Sequence, residues 1–264
     1  MSSVPKTADD QLGDTPPEGA DLSILGHLNE LRIRLTYAGV GILVATSLSF
    51  IFAERLLQFL LQPYAASNPS GASLQTLRPT EGIETYFKVS LLAGIVLSMP
   101  IILYQLWRFI EPGLHKHEKR YVYFFIPSAL LLFGLGLAFA WFVLAPAAIY
   151  FLANFMPEVF RTEWTGQEYI SFITRLLLWI GVAFQLPVII YVIARAGLIS
   201  PETLKGQWRV AVVAIAVLAA VITPSIDPVT MLLTMAPLVV LYILSIGLAG
   251  VGQRQFERAA AEQT

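Results

Sequence analysis

KVSLLAGIVLSMPIILYQLWRFIEPGLHKHEKR, from Lys88 to Arg120, contains an uninterrupted apolar run followed by a dense polar one. From about Val89 to Phe109 the run would form a helix of roughly 30 Å at 1.5 Å per residue, enough to cross a hydrocarbon core. Pro100 falls inside it and predicts a kink. Beyond Phe109 the chain turns basic, with Lys116, Lys119 and Arg120, yet Glu111 and Glu118 stand among these bases. A membrane edge explains the bases. It does not by itself explain the acids.

The rest of the chain repeats the apolar pattern. Of 264 residues 56% are hydrophobic and 13% charged, and the mean hydropathy is +0.67. That composition belongs to an integral membrane protein. Apolar segments run from about Leu35 to Phe52, Val89 to Phe109, Val122 to Leu144, Ile170 to Ala194, Val210 to Ile222 and Val229 to Val251. They predict an all-α protein of six transmembrane helices. The fifth is short, about 20 Å of helix against a core of about 30 Å. Residues 1–20, rich in Pro, Gly, Asp and Thr and without a signal-peptide core, read as a disordered tail. The membrane domain occupies 21–252 and a second tail 253–264. From Asp21, Leu22, Leu25, Leu28, Leu31 and Leu35 recur at helical spacing beside polar His27, Glu30, Arg32 and Arg34, predicting a short amphipathic helix on the membrane surface.

Basic residues set the orientation. With a cytoplasmic N-terminus, one side carries Lys6, Arg32, Arg34, Arg108, Lys116, Lys119, Arg120, Arg195, Lys205, Arg209, Arg254 and Arg258. The other carries Arg55, Arg78, Lys88, Arg161 and Arg175. Positive-inside asymmetry then puts both termini in the cytoplasm, with Glu118 in the first cytoplasmic loop. The segments Leu57 to Lys88 and Ala145 to Tyr169 become long outer loops, the second aromatic enough to cap the bundle.

The net charge of −1 gives no basic excess for nucleic acid. The absence of cysteine excludes disulfides and thiolate sites, and three histidines, His27, His115 and His117, offer no convergent metal geometry. No serine stands beside a His or Lys base, and no glycine loop suits a phosphate, so no enzyme or cofactor site is expected. A small-solute secondary transporter is the rival reading; it calls for an internal repeat and ionisable residues at mid-membrane, and neither is found.

Two readings stand for the acids. Glu30 pairs with Arg34 at i+4 and Glu118 with a neighbouring base, or the two converge to accept guanidinium groups from a ligand in two-bond forks. Phe109 is either an interfacial anchor or the apolar wall of that site. Gln185, near the middle of the fourth segment and about 15 Å along the axis from Arg175, either bonds a neighbouring helix or receives a partner's helix. Asp227, between Pro224 and Pro228, reads as an outer turn that caps the sixth helix.

HLNELRIR, the stretch from Lys88 to Arg120, FGLGLAFAWFVLAPAAIYFL, GVAFQLPVIIYVIARAGLISPETL and ITPSIDPVT together resemble the TatC family of the twin-arginine protein translocase, from about Leu22 to Val251. The resemblance implies a concave, glove-like six-helix bundle with short fifth and sixth helices, both ends cytoplasmic, in the inner membrane. It implies a receptor for twin-arginine signal peptides, with Glu30 and Glu118 on the arginine pair, Phe109 beside them and Arg32 in the same motif. Pro63 corresponds to a proline of the outer cap, and Gln185 to a polar docking position for the single-span partners TatB and TatA, where many members carry glutamate. Ile243 likewise stands where glutamate is frequent. Assembly with TatA, TatB and further TatC copies, driven by the proton-motive force, is part of the same expectation.

Overall fold

The apolar run that begins at Val89 lies within a longer helix than hydropathy requires. In the computed structural model, which describes residues 18–67, 74–110, 122–155, 164–223 and 228–261, it belongs to α4 (Glu81–Ile110). Glu81 and Glu84 in its first turn and Arg108 in its last complement the helix dipole.

In chain order the helices are α1 (Glu18–Ser49), α2 (Ala53–Leu60), α3 (Gln62–Ser67), α4, α5 (Val122–Phe139), α6 (Ala145–Ala153), α7 (Gly166–Ala183), α8 (Leu186–Arg195), α9 (Pro201–Gly206), α10 (Trp208–Ile222) and α11 (Pro228–Ala261). A 3₁₀ turn, Phe50–Phe52, links α1 to α2, and a π-helical turn, Ala140–Leu144, carries α5 into α6. The π turn precedes Pro146, whose missing N–H leaves a carbonyl one turn back unclaimed. Five stretches are long and apolar enough to span a membrane: Gly26–Ala66, Glu81–Phe109, Phe125–Ala153, Gly166–Arg195 and Pro228–Glu257. The sixth, α10, has 15 residues, about 22 Å of helix, short as expected.

Three expectations change. The amphipathic stretch is no separate surface helix: α1 runs unbroken through it for 32 residues, because no proline interrupts the chain between Glu18 and Ser49. The predicted outer loops contain helices α2, α3 and α6. The last helix, expected short, has 34 residues; RQFERAAA at its end consists largely of strong helix formers, so it continues past the apolar run and through most of the predicted 253–264 tail. The N-terminal tail before residue 18 and the turn holding Asp227 lie outside the described residues.

α7 is the centre of the bundle. Tyr169, Ile170, Phe172, Ile173, Leu176 and Ile180 are at most 1% exposed, since α4, α5 and α10 pack around this helix. α1 is the opposite case. It packs extensively on α4 alone among the other spans, and Leu35, Leu43 and Leu48 remain exposed. Lipid is as apolar as leucine, so such side chains cost nothing there, and helix association depends on close fit. The fit is set at Gly94: a Cβ there would collide with Thr46 Oγ1 and stand 2.6 Å from the Thr46 Cα.

The end of the bundle that holds the start of α4 and of α7 is tied by hydrogen bonds. Gln75 and Thr165 form an isolated parallel bridge, with the Gln75 N–H donating to the Trp164 carbonyl at 3.1 Å and the Gly166 N–H to the Gln75 carbonyl at 3.0 Å. Thr165 caps α7 by accepting the Glu168 N–H at 3.1 Å. Tyr169 donates to the Leu60 carbonyl at 2.8 Å and stacks edge-on against Tyr64. Tyr169→Phe therefore unfastens α2 from α7 without opening a cavity. The expected cost is about 1 kcal/mol, or about 2–4 °C in the thermal midpoint; an unchanged midpoint in detergent would show that the bond is not a fastener.

Candidate functional site

Glu30, Arg32 and Arg34 lie on one stretch of α1, and Phe109 on the last turn of α4. Because α1 and α4 run antiparallel, the start of the first meets the end of the second. His27, one turn before Glu30, stacks on Phe109 with ring centroids 4.5 Å apart and planes at 27°. The apolar ring predicted as a wall is thus clamped within about one helical turn of the carboxylate. His27 is the residue that the sequence reading passed over; its position three residues before Glu30, on the same helix face, is the signal that points to it.

The Glu30 carboxylate is already engaged. Arg34 Nη2 donates to Oε1 at 3.1 Å, with the two side chains 29% and 21% exposed. The pair uses one carboxylate oxygen, and Arg34 Nε is buried without a partner. A partly exposed single-bond pair of this kind is worth about 1 kcal/mol or less, so a better guanidinium can displace it. Arg32 is exposed, and its carbonyl accepts the Thr36 hydroxyl at 2.8 Å. Glu118, the second predicted acid, and Glu111 lie outside the described residues.

Gln185 is separated from this edge. It sits at the break between α7 and α8, where Pro187 withdraws a backbone donor in the first turn of α8. Its side chain is 5% exposed, and Nε2 donates to the Ala129 carbonyl of α5 at 2.9 Å. This is the neighbouring-helix bond, made within the chain. Gln185→Leu removes it and is expected to cost about 0.6–2 kcal/mol, the range for such bonds in membranes; a stability loss smaller than that of an exposed control such as Val182→Ala would discount the bond. Pro63 stands in the first turn of α3, where no helical donor is needed, and with Trp141, Pro146 and Tyr150 lines a cleft of about 420 Å³. Ile243 is exposed on α11, and the adjacent Tyr242 donates to the Leu204 carbonyl at 2.6 Å.

At the end of the bundle that holds Glu30, Arg195 is 8% exposed and donates to Gln255 Oε1 at 2.6 Å, while Tyr191 donates to the same oxygen at 2.8 Å. These groups fasten α8 to α11. Among the described residues no three metal-ligating side chains converge.

These elements define a multi-pass, almost wholly helical membrane protein with a carboxylate and a clamped aromatic at one edge. The model of the Sec-independent protein translocase protein TatC matches residues 26–237, and the chain belongs to that family. It is 43% identical over 223 residues to the TatC of Helicobacter pylori strain J99, covering 84% of this chain and 87% of that one. Against Aquifex aeolicus TatC the identity is 37% over 231 residues, covering 87% and 95%. The crystal structure of the twin-arginine translocase receptor TatC superposes with a TM-score of 0.79 at 37% identity, over 86% of this chain and 99% of that one. The family is one of protein translocase components and not of catalysts.

Proposed function

We propose that this chain is the membrane receptor and core subunit of a twin-arginine translocase, binding twin-arginine signal peptides at its cytoplasmic face. The observation that carries the reading is the placement of Glu30, held by one displaceable bond, a turn away from the His27–Phe109 stack. One signal arginine replaces Arg34 on Glu30 and exploits both carboxylate oxygens, which a fork does better than a single bond. Glu118 takes the second arginine, Arg32 belongs to the same recognition edge, and Phe109 supports the apolar residues that follow the pair.

The protein resides in the inner membrane with both termini cytoplasmic, its membrane domain spanning 21–252 between two tails. The signal's apolar stretch inserts along the concave wall. TatB-like and TatA-like helices pack beside the α7–α8 break: Gln185 keeps the break in place from within, and Trp179, Val182 and Ile189 offer exposed apolar surface there. Further TatC copies and recruited TatA complete an assembly driven by the proton-motive force, which exports folded proteins. Asp227 and Pro63 serve the outer cap.

A photo-crosslinkable twin-arginine peptide should label the segment from residue 109 to 118 in membranes, and its twin-lysine version should label it far less. Equal labelling would defeat the receptor reading. Glu118→Lys should lose the label while the protein remains inserted, and export of a twin-arginine reporter should stop with it.

A further inference from the structure

Of the five basic residues that the sequence assigns to the sparsely charged side, Arg78, Lys88 and Arg175 line a single cleft of about 480 Å³ between the outer ends of α4 and α7. The two helices run in parallel there and meet rung by rung. Gln167 donates to Glu84 Oε2 at 2.7 Å, and Lys88 donates to Ser171 Oγ at 2.7 Å, four residues further on along both helices. The next rung places Arg175 opposite Leu92, and Arg175 is exposed.

The acids of this cleft are engaged away from Lys88 and Arg175: Glu84 accepts from the Thr80 hydroxyl at 3.1 Å and from Gln167 at 2.7 Å. Glu81 is 4% exposed and already accepts the Leu77 N–H at 3.2 Å and faces Arg78 Nε at 3.7 Å. Arg78 also bonds Gln167. Glu168 lines the cleft seven residues before Arg175, about 10 Å nearer the helix start. Among the described residues Lys88 has only a serine hydroxyl, and Arg175 has no hydrogen-bond or ion-pair partner. Arg175 stands nine residues inside α7, roughly 13 Å from its outer end. A cation at that depth is expensive unless it meets water or an anion. The long side chains of both residues can reach toward the headgroup layer while their stems stay in the apolar region.

We propose that this cleft is a binding site for the phosphate of an anionic phospholipid from the outer leaflet, held by Lys88 and Arg175. A phosphodiester supplies the anionic oxygens that neither cation meets among the described residues, and the lipid presents it at the depth to which they reach. The site is independent of the signal-peptide reading, which concerns the opposite end of α4.

Native mass spectrometry of the delipidated protein tests the proposal with phosphatidylglycerol, phosphatidylcholine, and inorganic phosphate as separate arms. One phosphatidylglycerol should be retained at least about tenfold more strongly than phosphatidylcholine, and K88Q/R175Q should lose that preference, as expected for removal of charge-assisted bonds. Arg175→Gln alone should weaken retention with no effect on folding, since Arg175 makes no bond among the described residues, whereas Arg175→Lys should preserve it. Arg209→Gln, at the opposite end of the bundle, should change nothing at this site. Equal retention by wild type and both Gln variants overturns the proposal, as does wild-type binding of phosphatidylcholine equal to that of phosphatidylglycerol. Inorganic phosphate that competes the lipid off at equal concentration overturns the lipid as the source of the anion.

Discussion

Gly94→Leu should separate α1 from α4 and bring cross-linking between residues 27 and 109 down to background. Even a methyl group at residue 94 meets the Thr46 backbone, with the added Cβ 2.6 Å from the Cα and 2.7 Å from the nitrogen. Backbone cannot rotate away as a side chain does, so the helices must part. Gly94→Ala should then cost about 1–3 kcal/mol, the usual penalty for overpacking, and leucine more. α1 is unusually vulnerable because α4 is its one extensive contact among the other spans and lipid offers no hydrophobic penalty for leaving it. The native chain has no cysteine, so His27→Cys and Phe109→Cys can be joined by a bismaleimide in the Gly94 and Leu variants side by side. Equal yields would mean that α1 is held by something other than this close approach. If yield falls, signal-peptide binding should fall with it, since Glu30 travels with α1.

Glu30→Gln should weaken a twin-arginine peptide by about 10–100-fold, the value of one hydrogen bond to a charged group in a partly desolvated site. Arg34→Ala separates this from loss of folding. If Arg34 occupies the place of a signal arginine, removing it frees the carboxylate, and affinity should hold or rise. If the Glu30–Arg34 pair instead only braces α1, both variants should lower the thermal midpoint slightly and leave peptide affinity alone. Titration of a labelled peptide against the protein in nanodiscs, for the twin-arginine and twin-lysine sequences, distinguishes the two. A fall in affinity with Arg34→Ala as large as that with Glu30→Gln would count against displacement.

The apolar runs and the motifs around Glu30 and Phe109 were sufficient to determine an all-α membrane protein and its family, because a helix in lipid must satisfy its own backbone and therefore declares its length in hydropathy alone. The short α10 was legible for the same reason. What fills the space between spans was not. Hydropathy treats Leu57 to Lys88 as a loop, yet α2 and α3 lie there, held from across the chain by Tyr169, which donates to the Leu60 carbonyl and stacks on Tyr64. Continuity of α1 through its amphipathic stretch, and extension of α11 beyond Val251, depend on the absence of a helix breaker, a weaker signal than a change from apolar to polar.

For the candidate site, the sequence by itself determined which residue types stand at the membrane edge: Glu30, Arg32, Arg34 and Phe109, at spacings that a helix turns into neighbours. Only the tertiary structure decided that His27 clamps Phe109 and that Gln185 is turned inward onto the Ala129 carbonyl. The physical reason is range. Helical spacing fixes contacts within three or four residues, whereas contacts separated by 56 or 82 positions depend on how two helices cross, and that crossing is set by a few points of close backbone approach such as Gly94.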